Sequence, residues 1–528
     1  MKPLFPLALL GTAAFAQPAL AQPAPTGAIT LELLSTYRTG QFDESAAEIV
    51  AHDPRSQQLF IVNAQQGALD VLDILDPSAP LAREPVALGG EGEIANSVAV
   101  HGGVVAVALE AADKTQPGQV VFLDASGREL SRVTVGALPD MLTFTTDGSR
   151  VVVANESEPA EDYSADPEGS VSVIDVSGGA AEVTQADVTT AGFGAFADRL
   201  DPAVRVFGPG SSPAQDLEPE YVAVSPDSQT AWVSLQENNA LAIIDVASGT
   251  VRDVVPLGFK DHSLPENSLD ASNEDGGVNL ATYPVLGMYQ PDAVAAFAAG
   301  GETYIFSANE GDSRTWEGFD EERSVGDEDY VLDPARFPDA AALKDKARLG
   351  ALTVTGATGD PDGDYDQIYA FGGRSVSVRD AAGGLVYDSG SLLERLTADR
   401  YPEFFNATND ENGLDTFDDR SDNKGPEPEG VAVGRAFGRT YAFVGLERIG
   451  GVVTFDLSNP RAPVLVDYTN PRGFTAAADS VRAGDLGPEG LAFIPAIDSP
   501  TGEPLLVVAN EISGSTSIFR VVQNGDAN

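Results

Sequence analysis

The amino-acid sequence predicts an all-β fold built from a repeated unit. Short runs rich in Val, Ile, Leu and aromatic residues end in Gly, Asn or Asp, which is typical of strands separated by tight turns. Self-comparison finds one pattern of strand, turn, strand, turn and strand several times along the chain. Because such units hide their sheet edges when they are arranged radially, we predict a single β-propeller with seven blades and long inserted loops.

The copies of the repeat are recognised by the residue that opens each first strand. These residues are Glu48, Ser97, Asp140, Glu220, Asp292, Glu429 and Glu489. A blade usually takes about 40–50 residues, so the wider steps must contain insertions. The largest insertion lies between Asp292 and Glu429 and includes two strand-like runs, 367–371 and 375–379. An eight-bladed propeller and a double sandwich therefore stay as alternatives.

The N-terminus has the features of a secretory signal. A basic start, an apolar run over 4–16 and Ala19-Leu20-Ala21 before Gln22 predict a signal peptide. That run is too short to span a bilayer, and no later segment is apolar enough, so we expect a periplasmic or extracellular protein without a membrane span. We divide the chain into a signal peptide at 1–21, a linker at 22–41, a propeller at 42–522 with inserts near 178–215, 256–290 and 313–425, and a tail at 523–528.

The composition excludes several classes of function. The 528 residues include 81 Asp and Glu against 31 Lys and Arg, a formal net charge of −50, which argues against binding nucleic acid or an anionic membrane. The absence of Cys excludes disulfides, thiolate metal sites and a cysteine nucleophile. Three histidines and the lack of a G-x-S-x-G elbow argue against a Ser-His-Asp hydrolase, and no glycine loop for NTP or NAD appears.

Acids recur in register with the repeat. The acids that open the repeats would point toward one mouth of a central channel, and the acids that close the second strands would return to the same rim, because adjacent antiparallel strands bring their ends together. So many carboxylates at one place repel one another unless cations neutralise them. We predict a metal centre there, with strand ends at a solvated rim as the alternative. The candidate ligands are Glu48, Asp140, Glu156, Glu220, Asp292, Glu310, Asp312, Glu429, Glu447, Glu489 and Glu511.

Two inserted segments add acidic oxygens. Asp360, Asp362, Asp364 and Asp366 alternate around a glycine, which resembles the start of a calcium loop, although the distal Glu of an EF-hand is not in its place. We count them as candidate ligands, with a solvated turn as the alternative. The second segment, 409–427, leads into Glu429, and we expect it to fold over the same face. Oxygen ligands favour a divalent metal, Ca²⁺ first and Mg²⁺ or Mn²⁺ next.

Several long motifs resemble the choice-of-anchor I family. They are Lys260-Asp-His-Ser263, Leu269-Asp-Ala-Ser272, Gly287-Met-Tyr-Gln-Pro-Asp292, Ala308-Asn-Glu-Gly-Asp-Ser-Arg314, Phe371-Gly-Gly-Arg-Ser375, Ser421-Asp-Asn-Lys-Gly-Pro-Glu-Pro-Glu-Gly430 and Gly487-Pro-Glu-Gly490. The resemblance extends from Phe42 to Arg520. That family includes bacterial proteins described as alkaline phosphatases and mesenchyme-specific cell-surface glycoproteins linked to biomineral formation.

In outline the family is similar to the propeller alkaline phosphatases that depend on calcium and iron. Those enzymes hold a metal cluster at one end of the channel with carboxylates from the inner strands, and the pairs Glu429-Gly430 and Glu489-Gly490 match that style. The iron-binding cysteine of that enzyme type has no counterpart in a chain without Cys. The resemblance therefore implies an all-oxygen calcium or magnesium cluster rather than iron.

The resemblance implies metal-assisted hydrolysis of phosphate esters, in which clustered ions bind the phosphoryl oxygens and lower the pKa of an attacking water. Basic side chains would balance the charge on the transferring group, and a histidine could be the general acid or base. A structural role is the alternative for each of them. The candidates, all within or beside family-like segments, are Lys260, His262, Arg314, Arg374 and Arg448.

A non-catalytic function is the main alternative. A secreted acidic propeller with calcium sites could bind mineral, polysaccharide or protein through its rim loops. A lactonase-like enzyme is a third candidate, since central calcium can activate a lactone carbonyl. The nearness of Arg314 and Arg448 to the acids favours the phosphoesterase. We expect a monomer that takes a small phosphate ester or another extracellular ligand, and no nucleic acid.

Overall fold

A computed structural model describes residues 28–90 and 92–524 of the protein, so the signal peptide predicted over 1–21 lies outside the described residues. Strands dominate this part of the chain and helices are few. Seven antiparallel sheets follow the repeat. We number them 1 to 7 in the chain order of their innermost strands. In sheets 1 to 6 the innermost strand is the first in the sequence, whereas the outer strand of sheet 7 is the first strand of the chain.

The strands of sheets 1 to 4 are as follows. Sheet 1 contains Val50–Asp53, Gln58–Asn63, Ala68–Asp73 and, sharing its outer position, Leu81–Ala82 and Val86–Ala87; sheet 2 contains Ile94–His101, Val104–Glu110, Pro117–Asp124 and Glu129–Ala137; sheet 3 contains Pro139–Phe144, Arg150–Asn155, Ser170–Asp175 and Val188–Gly192; sheet 4 contains Val222–Val224, Thr230–Leu235, Ala240–Asp245 and Thr250–Pro256.

Sheets 5 to 7 are built in the same way. Sheet 5 contains Val294–Ala299, Glu302–Asn309, Ser375–Asp380 and Leu385–Asp388; sheet 6 contains Pro428–Ala436, Arg439–Leu446, Val452–Asp456 and Val464–Thr469; sheet 7 contains Pro488–Ile494, Leu505–Asn510, Ser515–Gln523 and, as its outer strand, Ile29–Arg38.

The innermost strands of the seven sheets form a closed ring. Each adjoins the innermost strand of the next sheet, and that of sheet 7 adjoins Val50–Asp53 of sheet 1. The all-β, propeller-type fold predicted from the sequence is confirmed. The number of blades stays an inference from this strand topology.

Both ends of the described chain meet in sheet 7. Ile29–Arg38 pairs antiparallel with Ser515–Gln523, so the outer strand comes from the N-terminal side. The prediction of a linker over 22–41 was therefore wrong for residues 29–38. The repeat could not reveal this strand, because it precedes the first opening acid and its partner lies almost 500 residues away. Such pairing covers a sheet edge that would otherwise be exposed.

Two inserted segments, 256–290 and 313–425, together form a separate sheet beside the ring. This insert sheet has the strand order Phe259–Asp261, Val285–Met288, Ile368–Ala370, Thr353–Thr355 and Glu322–Ser324, and its second and third strands are parallel. The run predicted at 367–371 thus belongs to the insert sheet, whereas the run at 375–379 belongs to sheet 5. A hairpin joins Thr315–Trp316 to Phe319–Asp320.

The helices are short and lie in the connections. None of those in the described residues is long and apolar enough to cross a membrane. The α-helices are Pro213–Asp216, Ala340–Leu343 and Leu392–Arg400, and Lys346–Gly350 is a π-helix. The 3₁₀ turns are Ala64–Gln66, Ala180–Glu182, Gln185–Asp187, Gly194–Phe196, Pro265–Asn267, Leu414–Thr416 and Val481–Ala483.

The apolar core lies between neighbouring sheets. Phe122 of sheet 2 packs in one buried cluster with Val151 and Ile174 of sheet 3. Between sheets 5 and 6, Phe306 and Phe455 lie with their ring centroids 6.1 Å apart. Because burial between the sheets stabilises the fold, the inner ends of the strands are free to present polar groups to the axis.

Replacing one residue of the closing strand tests its packing. Ile29 is 0% exposed, so Ile29→Ala should lower the free energy of unfolding by about 2–5 kcal/mol. Leu33→Ala in the same strand is the matched control, because Leu33 is 44% exposed and should change stability by less than about 0.5 kcal/mol. Denaturant unfolding of the full chain measures both. Equal effects at the two positions would contradict a buried closing strand.

Candidate metal centre

The opening acids lie at one end of the ring, where the innermost strands begin. Glu48 stands two residues before its strand, and Glu429 and Glu489 are the second residues of theirs. Burial raises the pKa of these carboxyls, and repulsion by Asp140 contributes for Glu48, Glu220, Asp292 and Glu489. The structure thus brings together the six opening acids that the repeat had aligned: Glu48, Asp140, Glu220, Asp292, Glu429 and Glu489.

Two glycines set how closely the last acid-bearing strands approach. A Cβ on Gly430 would lie 1.7 Å from the carbonyl oxygen of Glu489, and a Cβ on Gly490 would lie 2.2 Å from that of Glu48. Neighbouring innermost strands therefore meet backbone to backbone just after their acids. Side chains larger than hydrogen would separate these strands at the point where the carboxyls converge.

A small cavity lies among the opening acids. It has a volume of about 50 Å³, and Asp140, Asp292 and Glu489 line it together with Asn96 and Ser97. A volume above roughly 15 Å³ is enough for a water molecule, and the space therefore suits a small ion with little of its hydration shell.

Three oxygens at this end of the ring lack partners. One carboxyl oxygen each of Glu220, Glu429 and Glu489 is buried and accepts no hydrogen bond from the described residues. An unsatisfied buried polar group costs about 1–3 kcal/mol. Burial, followed by repulsion from neighbouring acids, raises the pKa of all three carboxyls well above the ordinary range. Such groups either hold protons or coordinate a cation.

The closing acids reach the same rim. Asp292, Glu310 and Glu429 each offer an oxygen within 4.8 Å of the other two, and Glu310 makes a second such group with Glu427 and Glu447. Glu310 is thus shared by two adjacent clusters of three acids. Glu156 and Glu511 also approach opening acids. Repulsion by Asp140 contributes to the raised pKa of Glu156, and repulsion by Glu511 contributes to that of Glu489.

Protein cations also reach the rim. Lys424 Nζ lies 2.7 Å from Glu310, 3.6 Å from Asp312 and 3.7 Å from Glu427. The guanidinium of Arg420 lies 2.7 Å from Glu427, while that of Arg448 lies 3.2 Å from Glu427 and 3.0 Å from Glu447. Although burial opposes it, these cations lower the pKa of Glu427 to about 2.

Segment 409–427 therefore folds over the acids, as its place before Glu429 had suggested. We did not select Lys424, Arg420 or Glu427 from the sequence as site residues. A signal existed, because Lys424 is the only lysine in this acidic segment and lies within the motif 421–430. Its partner Glu310, however, is 114 residues away in sequence.

A larger cavity opens beside the rim. Its volume is about 300 Å³, and Glu158, Glu218, Glu237, Arg314 and Lys424 are among the residues that line it. Arg314 is buried and forms ion pairs of 2.6 Å with Asp216 and 2.7 Å with Glu218. Acidic and basic side chains thus share one wall, which suits a small ligand that carries both a bound cation and negative charge.

Three candidate catalytic residues lie elsewhere. Lys260 Nζ donates to the carbonyls of Gly373 at 2.8 Å and Gly390 at 2.6 Å, and His262 Nδ1 lies 2.6 Å from the carbonyl of Asn267. Burial lowers the pKa of His262 to about 3. Neither side chain lines either cavity. These hydrogen bonds hold the segments around the insert sheet, so Lys260 and His262 have a structural role here.

Arg374 has a similar bridging position. Its buried guanidinium donates to Glu394 at 2.9 Å and to the carbonyls of Asp270 at 2.6 Å and Ser421 at 2.8 Å. Arg374 thus ties the inserted segment 256–290 to segment 409–427. Of the five candidate catalytic residues, only Arg314 and Arg448 lie at the acid-lined end.

The calcium-like turn is separate from the axis. Asp360 and Asp362 are exposed, and the Asp360 carboxylate accepts a hydrogen bond of 2.6 Å from the backbone N–H of Gly363. Asp364 is half-buried, and Asp366 lies 3.7 Å from Arg336. None of the four belongs to the clusters of three acids found among the described residues. The turn therefore adds no ligand to the axial acids.

The pH dependence of stability tests the state of the acids. Burial raises the pKa of Glu48 and Glu447 to about 8 and that of Asp140 to about 7. In the unfolded chain such groups ionise at about 4–4.5, so the unfolded state loses protons first and the folded state loses stability between about pH 4.5 and 8.

With chelator present, we expect the unfolding temperature to fall by on the order of 5 °C from pH 5 to pH 8.5. Added Ca²⁺ should flatten this dependence, because the ion replaces the protons. The variant Glu489→Gln should show a shallower slope in chelator. Differential scanning calorimetry measures all three, and a stability that rises with pH in chelator would contradict the assignment of these acids.

Comparison with known proteins identifies relatives. Residues 48–460 match the family model for the choice-of-anchor I domain. Gigasin-3a of Magallana gigas is 35% identical over 197 residues, which cover 35% of this chain and 69% of that protein. Mesenchyme-specific cell surface glycoprotein of Strongylocentrotus purpuratus is 30% identical over 356 residues, or 60% of this chain, and the chain spans 44% of that protein's length.

Solved structures of similar shape include two enzymes. Hydrazine synthase of Kuenenia stuttgartiensis matches with a TM-score of 0.47 and 15% identity, covering 93% of this chain and 99% of that chain. Streptogramin B lyase matches with a TM-score of 0.45 and 9% identity, covering 94% and 98%. The family model covers well over half of the chain, and the protein therefore belongs to the choice-of-anchor I family.

Proposed function

We propose that this chain is a periplasmic or extracellular propeller that binds divalent cations, Ca²⁺ above all, at the axial acids and hydrolyses phosphate esters beside them. The observation that carries the proposal is the set of three buried carboxyl oxygens without partners, on Glu220, Glu429 and Glu489. The family supports the location, since the relative from Strongylocentrotus purpuratus is named as a cell surface glycoprotein.

The chemistry of the ligands favours a hard cation. The two clusters that share Glu310 offer only carboxylate oxygens. Calcium takes six to eight oxygen ligands in flexible geometry, and magnesium accepts fewer protein ligands with more water. Bound divalent ions polarise a phosphoryl oxygen and lower the pKa of water.

The chain's own cations would hold the ester. Lys424, Arg420 and Arg314 border the larger cavity next to the acids. If Glu310 and Glu427 held a divalent ion, the ammonium of Lys424 would be free to donate to a phosphoryl oxygen. Arg314 is held by Asp216 and Glu218, so its guanidinium is fixed in place and its charge is balanced by these carboxylates.

Removal of the unpartnered carboxylates tests metal binding. The triple variant Glu220→Gln, Glu429→Gln, Glu489→Gln should bind Ca²⁺ at least about 10-fold more weakly, while its stability in chelator should equal or exceed that of the wild type because an amide cannot ionise at a buried position. The matched control replaces three exposed acids: Glu84→Gln, Glu182→Gln and Glu302→Gln.

Calcium at 100 times its dissociation constant should stabilise the wild type by about 2.7 kcal/mol, and the control should behave in the same way. Calorimetric titration and thermal unfolding measure these quantities. Equal Ca²⁺ affinity in the axial triple variant and the wild type would contradict a metal centre at these acids.

A substrate screen tests the catalytic step. Phosphomonoesters and diesters should turn over only with added Ca²⁺, Mg²⁺ or Mn²⁺, and chelator should abolish turnover. Lys424→Met should lower kcat/KM by at least about 10-fold while Ca²⁺ still binds, because the lysine acts on the ester and not as a metal ligand. An unchanged kcat/KM in this variant would show that Lys424 does not contact the ester.

The second candidate is a cation-dependent binding protein without catalysis. One observation favours it: Arg314, Arg420 and Lys424 are each paired with carboxylates of the chain, which leaves none of them to face a phosphate in this state. Its ligand would be mineral, polysaccharide or another protein. Binding of Ca²⁺ without turnover of any ester under any of the three metals would establish this candidate over the enzyme.

A further inference from the structure

A second group of buried oxygens lies away from the axial acids, where the inserted segment 256–290 meets segment 405–422. Asp270, Asn406 and Asp418 are 0%, 0% and 2% exposed. Each has one side-chain oxygen, Asp270 Oδ1, Asn406 Oδ1 and Asp418 Oδ2, without a hydrogen-bond partner among the described residues. We propose that these three oxygens form a separate Ca²⁺ site that fastens the insert to the segment covering the ring.

Hydrogen bonds through Ser421 and Arg374 link the three residues to one another. Ser421 Oγ donates to Asp418 Oδ1 at 2.6 Å and accepts from Asn406 Nδ2 at 2.9 Å. Arg374 donates to the Asp270 carbonyl at 2.6 Å and to the Ser421 carbonyl at 2.8 Å. These hydrogen bonds join the inserted segment 256–290 to segment 405–422. None of them uses the three oxygens of the proposed site.

The remaining atoms of these side chains are already used. Asp270 Oδ2 accepts from the backbone N–H of Asn279 at 2.5 Å, and the amide nitrogen of Asn406 donates to Ser421. Each side chain is thus fixed in orientation by its bonded atom, with one free oxygen. Fixed oxygens without donors are what a hard cation requires.

The charge of the pair is uncompensated. Among the described residues, no Lys, Arg or His lies within 4 Å of the carboxylate of Asp270 or Asp418. Burial raises the pKa of Asp270 to about 7 and that of Asp418 to about 6, and Asp275 adds repulsion to both. Asp275 does not share a group of three acids with them among the described residues, so water would supply the remaining ligands.

The backbone allows clean variants. Asn406 and Asp418 have φ values of 44° and 70°, in the left-handed region that Asn and Asp tolerate better than most residues. Asp418→Asn therefore keeps both the shape and the backbone while it removes one charge. Asp415→Asn is the matched control, because Asp415 lies in the same segment but is exposed.

The test counts calcium ions in the full chain by equilibrium dialysis and calorimetry. The axial triple Gln variant weakens binding at the axial acids, and it should still hold one tightly bound Ca²⁺ per chain at the proposed site. Adding Asp418→Asn or Asp270→Asn to it should remove this ion or weaken it about 10- to 100-fold, whereas adding Asp415→Asn should not. Retention of the ion in both Asn variants would overturn the proposal.

Hydrogen exchange with and without Ca²⁺ gives a second readout. Calcium should slow amide exchange in segments 268–280 and 405–422, and Asp418→Asn should abolish that protection. Protection that is equal with and without Ca²⁺ would overturn the proposal in favour of two carboxyls that share a proton. The axial Gln variants and the Asn variants at Asp270 and Asp418 change different sites. Loss of Ca²⁺ binding at one site is therefore distinguished from loss at the other.

Discussion

Repulsion among carboxyls at one end of the ring is the constraint on which the arrangement of this protein depends. Each of six sheets contributes an acid to that end, and burial makes the charged form of each unfavourable. Protons, the cations Lys424, Arg420 and Arg448, and in our proposal divalent ions are three ways of satisfying the same requirement. The apolar contacts between neighbouring sheets supply the stability that makes such an acidic axis tolerable.

The inserted segments follow from this constraint. Segment 409–427 brings Lys424 to Glu310, and Arg374 anchors that segment to the insert through Asp270 and Ser421. Residues that reach the axial acids are therefore held in place by residues that position a loop. This division separates the candidate catalytic residues: Lys260 and His262 stabilise the segments around the insert sheet, whereas Arg314 and Arg448 border the acids.

The strand repeat and the axial acids could be predicted from the sequence because both are local. A strand pattern shows within one unit, and acids in register across units must converge when the units are arranged in a ring. Long-range contacts gave no such signal. The pairing of Ile29–Arg38 with Ser515–Gln523, the approach of Lys424 to Glu310, and the meeting of Asp270 with Asp418 join segments more than 100 residues apart, where no periodicity links the partners.

The close approach of Gly430 to the Glu489 carbonyl has a consequence for the ion selectivity of the metal centre that we propose. Where adjacent strands touch through their main chains, the separation of the acids they carry is set by the backbone and not by adaptable side chains. An opening of fixed width cannot expand around a larger ion or contract around a smaller one. Ions of equal charge would then be distinguished by radius, and replacing either glycine would change which ion is preferred before it changed the number of ligands.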